Sequence, residues 1–250
     1  MPPPLITLLT DFGTADGYAA EVKGVLLSGV PDATIIDAAH DVAPQDVEGA
    51  RLAVARYWRR FPAGTIHLVV VDPGVGSPRK ALAVYCDHRY LVGPDNGVLS
   101  PALLVPGARV VRLTAPPAAA PTFAGRDVFA PAAVRLATGA AVEELGASVS
   151  DPLIRRTPEP HRTPDGVLEG LVVTIDRFGN AITNFLGVMG GVATVAGRDV
   201  EVRRTYADAA PGEAVAVVGS SGLLEIAVRE GNAAQVLHLT RGTTVRLHPR

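Results

Sequence analysis

Apolar and polar positions along the chain follow two regimes. In the first, short apolar runs alternate with longer stretches whose apolar residues recur at helical spacing. Residues 5–9, 34–37, 65–71 and 110–113 read as strands, and residues 17–30, 45–57, 128–136 and 141–145 as helices. Asp16 stands where an N-cap of the first helix would. Residues 81–86 and 90–92 flank Asp87-His88, the pattern of a hairpin. This alternation predicts a layered α/β domain with a mainly parallel sheet. Residues 157–166 carry Pro158, Pro160, Pro164, charges and His161, and predict a linker between a domain at 1–156 and one at 167–250. Beyond it lie short runs rich in β-branched residues, at 170–176, 193–196, 198–203, 214–218, 223–227 and 244–248. Gly and Asp turns space them, which predicts a small antiparallel barrel or sandwich.

The 250 residues suffice for one large domain or two small ones. With 48% apolar and 5% aromatic residues, the core is aliphatic. The net charge of −2, with both signs interspersed, argues against a nucleic-acid footprint. Lys23 and Lys80 are the lysines in an Arg-rich chain, a compositional habit with no binding signal in it. Cys86, the one cysteine, excludes a disulfide framework and a Cys-based zinc site. No signal-peptide pattern occurs, and no apolar run approaches the roughly 20 residues of a membrane span. The expectation is a soluble cytoplasmic protein.

The strand at 65–71 stops abruptly at Asp72-Pro73-Gly74-Val75-Gly76-Ser77-Pro78-Arg79. The first strand stops in the same way at Thr10-Asp11-Phe12-Gly13-Thr14-Ala15-Asp16-Gly17-Tyr18. Thr122-Phe123-Ala124-Gly125-Arg126-Asp127 and Asp176-Arg177-Phe178-Gly179-Asn180 are further polar clusters. Gly219-Ser220-Ser221-Gly222, followed by Gly231-Asn232-Ala233-Ala234, is a weaker one. Strands that end at a carboxylate and a Gly-rich turn present polar groups at the carboxyl edge of an α/β sheet. The same acids would serve equally as caps of turns and helices, and the residues alone leave both roles open.

The histidines, at 40, 67, 88, 161, 238 and 248, show no paired metal-ligand spacing. Neither a P-loop, nor G-x-G-x-x-G, nor a G-x-S-x-G nucleophile elbow occurs. Gly74-Val75-Gly76 is too short a phosphate signal, and Asp72 beside it would repel a phosphate. What remains is Asp and Asn with few bases. Carboxylates accept two hydrogen bonds from a ribose diol and pair with ammonium or sulfonium cations. That chemistry favours a cationic, nucleoside-like ligand.

Thr10-Asp11-Phe12-Gly13, Asp72-Pro73-Gly74-Val75-Gly76, Gly93-Pro94-Asp95-Asn96-Gly97, Thr122-Phe123-x-Gly125-Arg126-Asp127, Asp176-x-Phe178-Gly179-Asn180 and Gly231-Asn232-Ala233-Ala234 occur in order over essentially the whole chain. Together they resemble the S-adenosylmethionine (SAM) hydrolases, adenosine-forming enzymes also called SAM hydroxide adenosyltransferases. These are relatives of the SAM-dependent fluorinases and chlorinases. The resemblance implies an α/β N-terminal domain with a small antiparallel β-barrel after it. It also implies a homotrimer with each site between neighbouring subunits, SAM as substrate, adenosine and methionine as products, and no metal or cofactor.

By the same resemblance Asp11 binds the ribose hydroxyls, and Asp16 and Tyr18 line the methionine end. Asp176 meets the methionine ammonium, and Ser221 faces the amino-acid portion. Phe123, Phe178 and Asn180 belong to the substrate site, the last two around the adenosine, with Asn180 toward the base. Tyr206 stacks on adenine, and the backbone of Asn232 and Ala233 reads the adenine edge. The family's water-holding set is Asp-Arg-His, matched by Asp72 and Arg79. Ala124 stands where the family pattern, Thr-Phe-His-Gly-Arg-Asp, has its His. The departure implies turnover lowered by about 10²–10⁴-fold, or a protein that binds SAM or adenosine without turnover. A SAM-dependent halogenase is the weaker alternative, because the fluorinases carry Tyr where Asp72 stands and an extra loop this chain lacks.

Overall fold

The ends of two neighbouring strands dominate the architecture of the first of two compact units, Met1–Arg156 and Thr157–Arg250. The computed structural model describes residues 3–249. In the first unit the strands are β1 (Leu5–Thr10), β2 (Thr34–Ala39), β3 (Ile66–Val70), β4 (Ala81–Cys86), β5 (Arg89–Pro94), β6 (Arg109–Leu113) and β7 (Gly146–Ser148). They form one sheet in the order β2-β1-β3-β5-β4-β6-β7. β1 pairs in parallel with β2 and β3, and β3 with β5; β4 is antiparallel to β5 and β6, and β6 to β7. β1, β2, β3, β5 and β6 thus share one direction, so the sheet is mainly parallel. The β4–β5 hairpin turns at Asp87 and His88, whose φ values of 48° and 57° suit a tight two-residue turn.

The central strand β3 is apolar at nearly every position because both its faces are covered. Ile66, Leu68 and Val70 pack with α1 (Tyr18–Gly29) and α4 (Ala130–Ala137). Val69 and, just past the strand, Val71 pack with α2 (Val47–Tyr57) and α3 (Ser100–Leu103).

Helix ends differ from the sequence expectation. The residue preceding α1 is Gly17, at φ 79°, and no side chain caps the helix, so Asp16 is exposed and is not the N-cap. α2 starts later than its apolar pattern, because Gln45 sits at φ 67° and Asp46 accepts from the Gly49 amide at 2.9 Å. Residues 128–136 are not one helix: a π-helical turn, Gly125–Phe129, feeds α4. Residues 141–145 tighten to a 3₁₀ turn at Val142–Leu145.

The second unit holds β8 (His161–Arg162), β9 (Leu168–Ile175), β10 (Ala181–Leu186), β11 (Gly191–Val195), β12 (Arg198–Arg203), β13 (Ala214–Val218), β14 (Leu223–Val228) and β15 (Thr244–Pro249). Their order is β10-β14-β13-β12-β11-β15-β9-β8, and β10 also pairs with β9, so seven strands close into a barrel and β8 extends β9 outside it. Every pairing is antiparallel except β12 with β13. Phe185, Leu224, Ile226 and Leu247 fill the interior, and Ala233 of the short helix α5 (Ala233–Val236) joins them. Among the described residues no helix is long and apolar enough to cross a membrane.

Candidate active site

β1 and β3 are parallel neighbours with Thr10 opposite Val70. Both chains leave the sheet at its carboxyl edge, so Asp11 and Asp72 emerge beside each other. They line one cavity of about 190 Å³ together with Phe12, Thr122, Phe123 and Ala124. The loop after Asp72 folds back on itself: the Val75 amide donates to the Asp72 carbonyl at 3.1 Å, and the Ser77 hydroxyl to the Gly74 carbonyl at 2.7 Å. Gly76 takes φ 81°, a conformation glycine adopts without steric cost. The return brings Arg79 over Asp72. Nε donates to Oδ1 at 2.7 Å and Nη2 to Oδ2, a fork that fixes the orientation of the carboxylate. Nη1 donates to the Lys80 carbonyl at 3.1 Å. The Asp72 and Arg79 side chains are only 6% and 14% exposed, so the pair is largely shielded from water.

Asp11 is also held: its Oδ2 accepts from the Gln45 amide at 2.7 Å. His40 fixes the same loop, with its carbonyl accepting from the Gly13 amide at 2.7 Å and its Nδ1 2.8 Å from the Thr10 hydroxyl. Asn96 braces the exit of β3 by donating to the Val71 carbonyl at 2.9 Å and accepting from the Val98 amide at 3.1 Å. The Gly93–Gly97 motif therefore supports the loop that carries Asp72.

Phe123 packs edge-on against Phe12 and Tyr18, with ring centroids 5.7 and 5.5 Å away. Arg126 lies 4.9 Å from the Phe123 ring centroid and pairs with Asp127 and Glu21. The Arg126 guanidinium holds the Asp127 carboxyl below its ordinary range. Gly125 sits where a Cβ would come within 3.0 Å of Val70, so the backbone here lies directly against β3. Ala124 opens this π-helical turn, a feature that recurs at functional sites. It lines the 190 Å³ cavity and also a second one, of about 390 Å³, bordered by Ser77, Arg79, Arg112 and Thr114. Asp72 lines the first cavity, Arg79 the second, and Ala124 both.

In the barrel unit, Asp176 Oδ1 accepts from the Phe178 and Asn180 amides at 2.9 and 2.8 Å, and Oδ2 from the Asn180 side chain at 3.0 Å. A Cβ on Gly179 would fall 2.1 Å from the Asn232 side chain, so that turn is packed against Asn232. Asn232 caps α5 through the Gln235 amide at 2.9 Å, and the Ala234 amide donates to the Gly179 carbonyl at 2.9 Å. Asp176, Asn180, Asn232 and the buried Ala233 thus form one cluster, with Phe178 projecting at 77% exposure. Tyr206 donates its hydroxyl to Glu225 at 2.7 Å, next to the 219–222 turn that carries the exposed Ser221.

The structure therefore gathers Asp11, Asp72, Phe123 and Ala124 about one cavity. Arg79 lies against Asp72, and Tyr18 belongs to the aromatic group. Asp16 is in the exposed loop before α1 and lines neither cavity. Sequence reasoning missed Gln45, His40 and Glu225. An acid inside the apolar run Leu223-Leu224-Glu225-Ile226 was the available signal for the last; nothing local marked the first two.

An α/β unit that offers an ion-paired carboxylate and a second acid at its sheet edge, followed by a closed β-barrel unit, is the class that fold and site define. The model of the SAM hydroxide adenosyltransferase N-terminal domain matches residues 6–146, and that of the C-terminal domain matches residues 170–246. The (R)-S-adenosyl-L-methionine hydrolase of Thermus thermophilus is 43% identical, covering 97% of this chain and 98% of its own. Its namesake in Salinispora arenicola is 40% identical over 98% and 97%. A fluorinase of an Actinoplanes species is 29% identical over 97% and 96%. The crystal structure of a conserved hypothetical protein from Thermus thermophilus superposes with a TM-score of 0.82 at 42% identity, covering 99% of this chain and all of that one. That of an uncharacterized conserved protein from Thermotoga maritima gives 0.87 at 31% identity over 97% and 99%. The chain belongs to the SAM hydroxide adenosyltransferase family.

Proposed function

We propose that this protein hydrolyses SAM to adenosine and L-methionine. The observation that carries the reading is Asp72, shielded from water in its fork with Arg79, on the same cavity as Asp11. Water attacks C5′ of the ribose in line with the sulfonium. The O–C5′ bond forms as C5′–S breaks, and sulfur keeps the bonding pair, leaving methionine as a neutral thioether. The leaving group needs no acid. The difficulty is the weak nucleophile, so positioning and charge stabilisation carry the catalysis. Asp72 orients the water and accepts its proton, which passes to solvent, and Arg79 fixes Asp72 and stabilises hydroxide character.

Asp11 binds the ribose hydroxyls, with Phe123 and Tyr18 against the substrate and Asp16 toward its methionine end. Asp176, Phe178, Asn180, Tyr206, Ser221, Asn232 and Ala233 receive the adenosine and amino-acid portions. No metal or cofactor takes part, and the protein works in the cytoplasm as a homotrimer with sites shared between neighbours. The exposure of Phe178, Leu186 and Met189, at 77%, 73% and 98%, supports an interface on the barrel unit. Ala124 favours a second reading, SAM or adenosine binding without turnover, because its methyl group cannot supply the proton chemistry of a His. A halogenase is disfavoured, because Asp72 would repel a halide. Calorimetric titration with SAM and chromatography of the products separate these readings. Binding with adenosine release supports hydrolysis, binding without release supports the second reading, and no binding overturns both.

A further inference from the structure

Glu225 is 4% exposed in the middle of β14, and acids are almost never buried so deeply unless a specific contact holds them. Its two oxygens serve two different segments. Oε2 accepts from the Tyr206 hydroxyl at 2.7 Å. Oε1 lies against Gly219, where a Cβ would stand 1.8 Å away, so a side chain at 219 would push the carboxylate from its place. Tyr206 is tethered at its hydroxyl and 41% exposed.

We propose that Glu225 is a positioning residue: it holds the Tyr206 ring as a preset stacking platform for a nucleobase and sets the 219–222 turn beside it. Resting on the nucleoside-binding reading above, this gives one buried acid control over two separate segments. A ring fixed before the ligand arrives loses less side-chain entropy on stacking.

The test is calorimetric titration of adenosine, and KM and kcat for SAM, on the full chain and on Glu225→Leu, Glu225→Gln, Tyr206→Phe and Gly219→Ala, each checked for its fold by circular dichroism. Losing the hydrogen bond that holds the ring predicts adenosine affinity weakened about tenfold in Glu225→Leu and Tyr206→Phe. KM should rise in parallel while kcat moves little. Gly219→Ala should behave similarly, and Glu225→Gln, which keeps an acceptor oxygen, should recover most of what Glu225→Leu loses. If Glu225→Leu fails to fold, Tyr206→Phe and Gly219→Ala decide. Unchanged adenosine affinity in the folded variants overturns the positioning role alone. A wild-type protein that binds neither adenosine nor SAM overturns the nucleoside-binding reading itself.

Discussion

Placing a histidine at position 124 probes the candidate site where the chain departs from the family pattern it resembles. Ala124 is half-buried and opens a π-helical turn. It borders cavities of about 190 and 390 Å³, the first shared with Asp72 and the second with Arg79. The two cavities are the open space beside residue 124 that an imidazole would enter. Replacing Ala by His in a helical segment costs about 0.5 kcal/mol in propensity, so the fold should survive. A positioned acid–base group contributes about 10²–10⁴-fold, or about 3–5 kcal/mol of barrier. Ala124→His is therefore expected to raise adenosine release by that order with nearly unchanged SAM affinity. Ala124→Leu, which fills space without proton chemistry, should give no gain. The assay is the single-turnover rate of adenosine formation, with SAM binding and melting temperature measured on the same preparations. A histidine variant that folds and binds SAM like the parent, yet releases adenosine within about threefold of its rate, refutes the reasoning.

Asp72→Asn in the Ala124→His background should lower adenosine formation by about 10² or more, since the carboxylate proposed to orient water and accept its proton is gone; an unchanged rate would remove Asp72 from the mechanism. His67, fully buried among Tyr57, Trp58 and Phe61, has its pKa lowered to about 4, chiefly by desolvation. The unfolded chain then binds the proton more readily, so this contribution to stability is fully present above about pH 6.5 and is lost as pH falls toward 4. Unfolding titrations should show a loss of about 3 kcal/mol across that window, diminished in His67→Phe; a flat profile would contradict the neutral buried imidazole. Burial pushes the Cys86 thiol up to about 11, so it should resist a thiol-specific disulfide reagent at pH 8 until denaturant is added.

Period and punctuation made much of the fold legible. The β-branched run at Ile66–Val70 and its stop at Asp72 identified a central strand, because both faces of β3 are covered and the chain must turn where the apolar run ends. Backbone sign at single residues was not legible. Gln45 in the left-handed region shortens α2 and aims its amide at Asp11, and no propensity marks that role. Asp16 and Asp46 look alike as helix caps in sequence, yet only Asp46 caps, because Gly17 already turns the chain into α1. The Asp-Arg pairing at Asp72 and Arg79 was suggested by motif, but its fork geometry depends on the turn at Gly76. Asp176 shows why acids that cap turns and acids that bind ligands look alike in sequence: its carboxylate holds three bonds inside its own turn.

The central claim is attack of water on C5′ of SAM, and isotope tracing tests it most directly. The purified protein, in excess over SAM, is incubated in water enriched in oxygen-18 and the products are resolved by mass spectrometry beside a heat-denatured control. The account predicts adenosine with one heavy oxygen at its 5′-hydroxyl and methionine without label. Tightly bound SAM recovered intact, or label anywhere but the 5′ position, would contradict it.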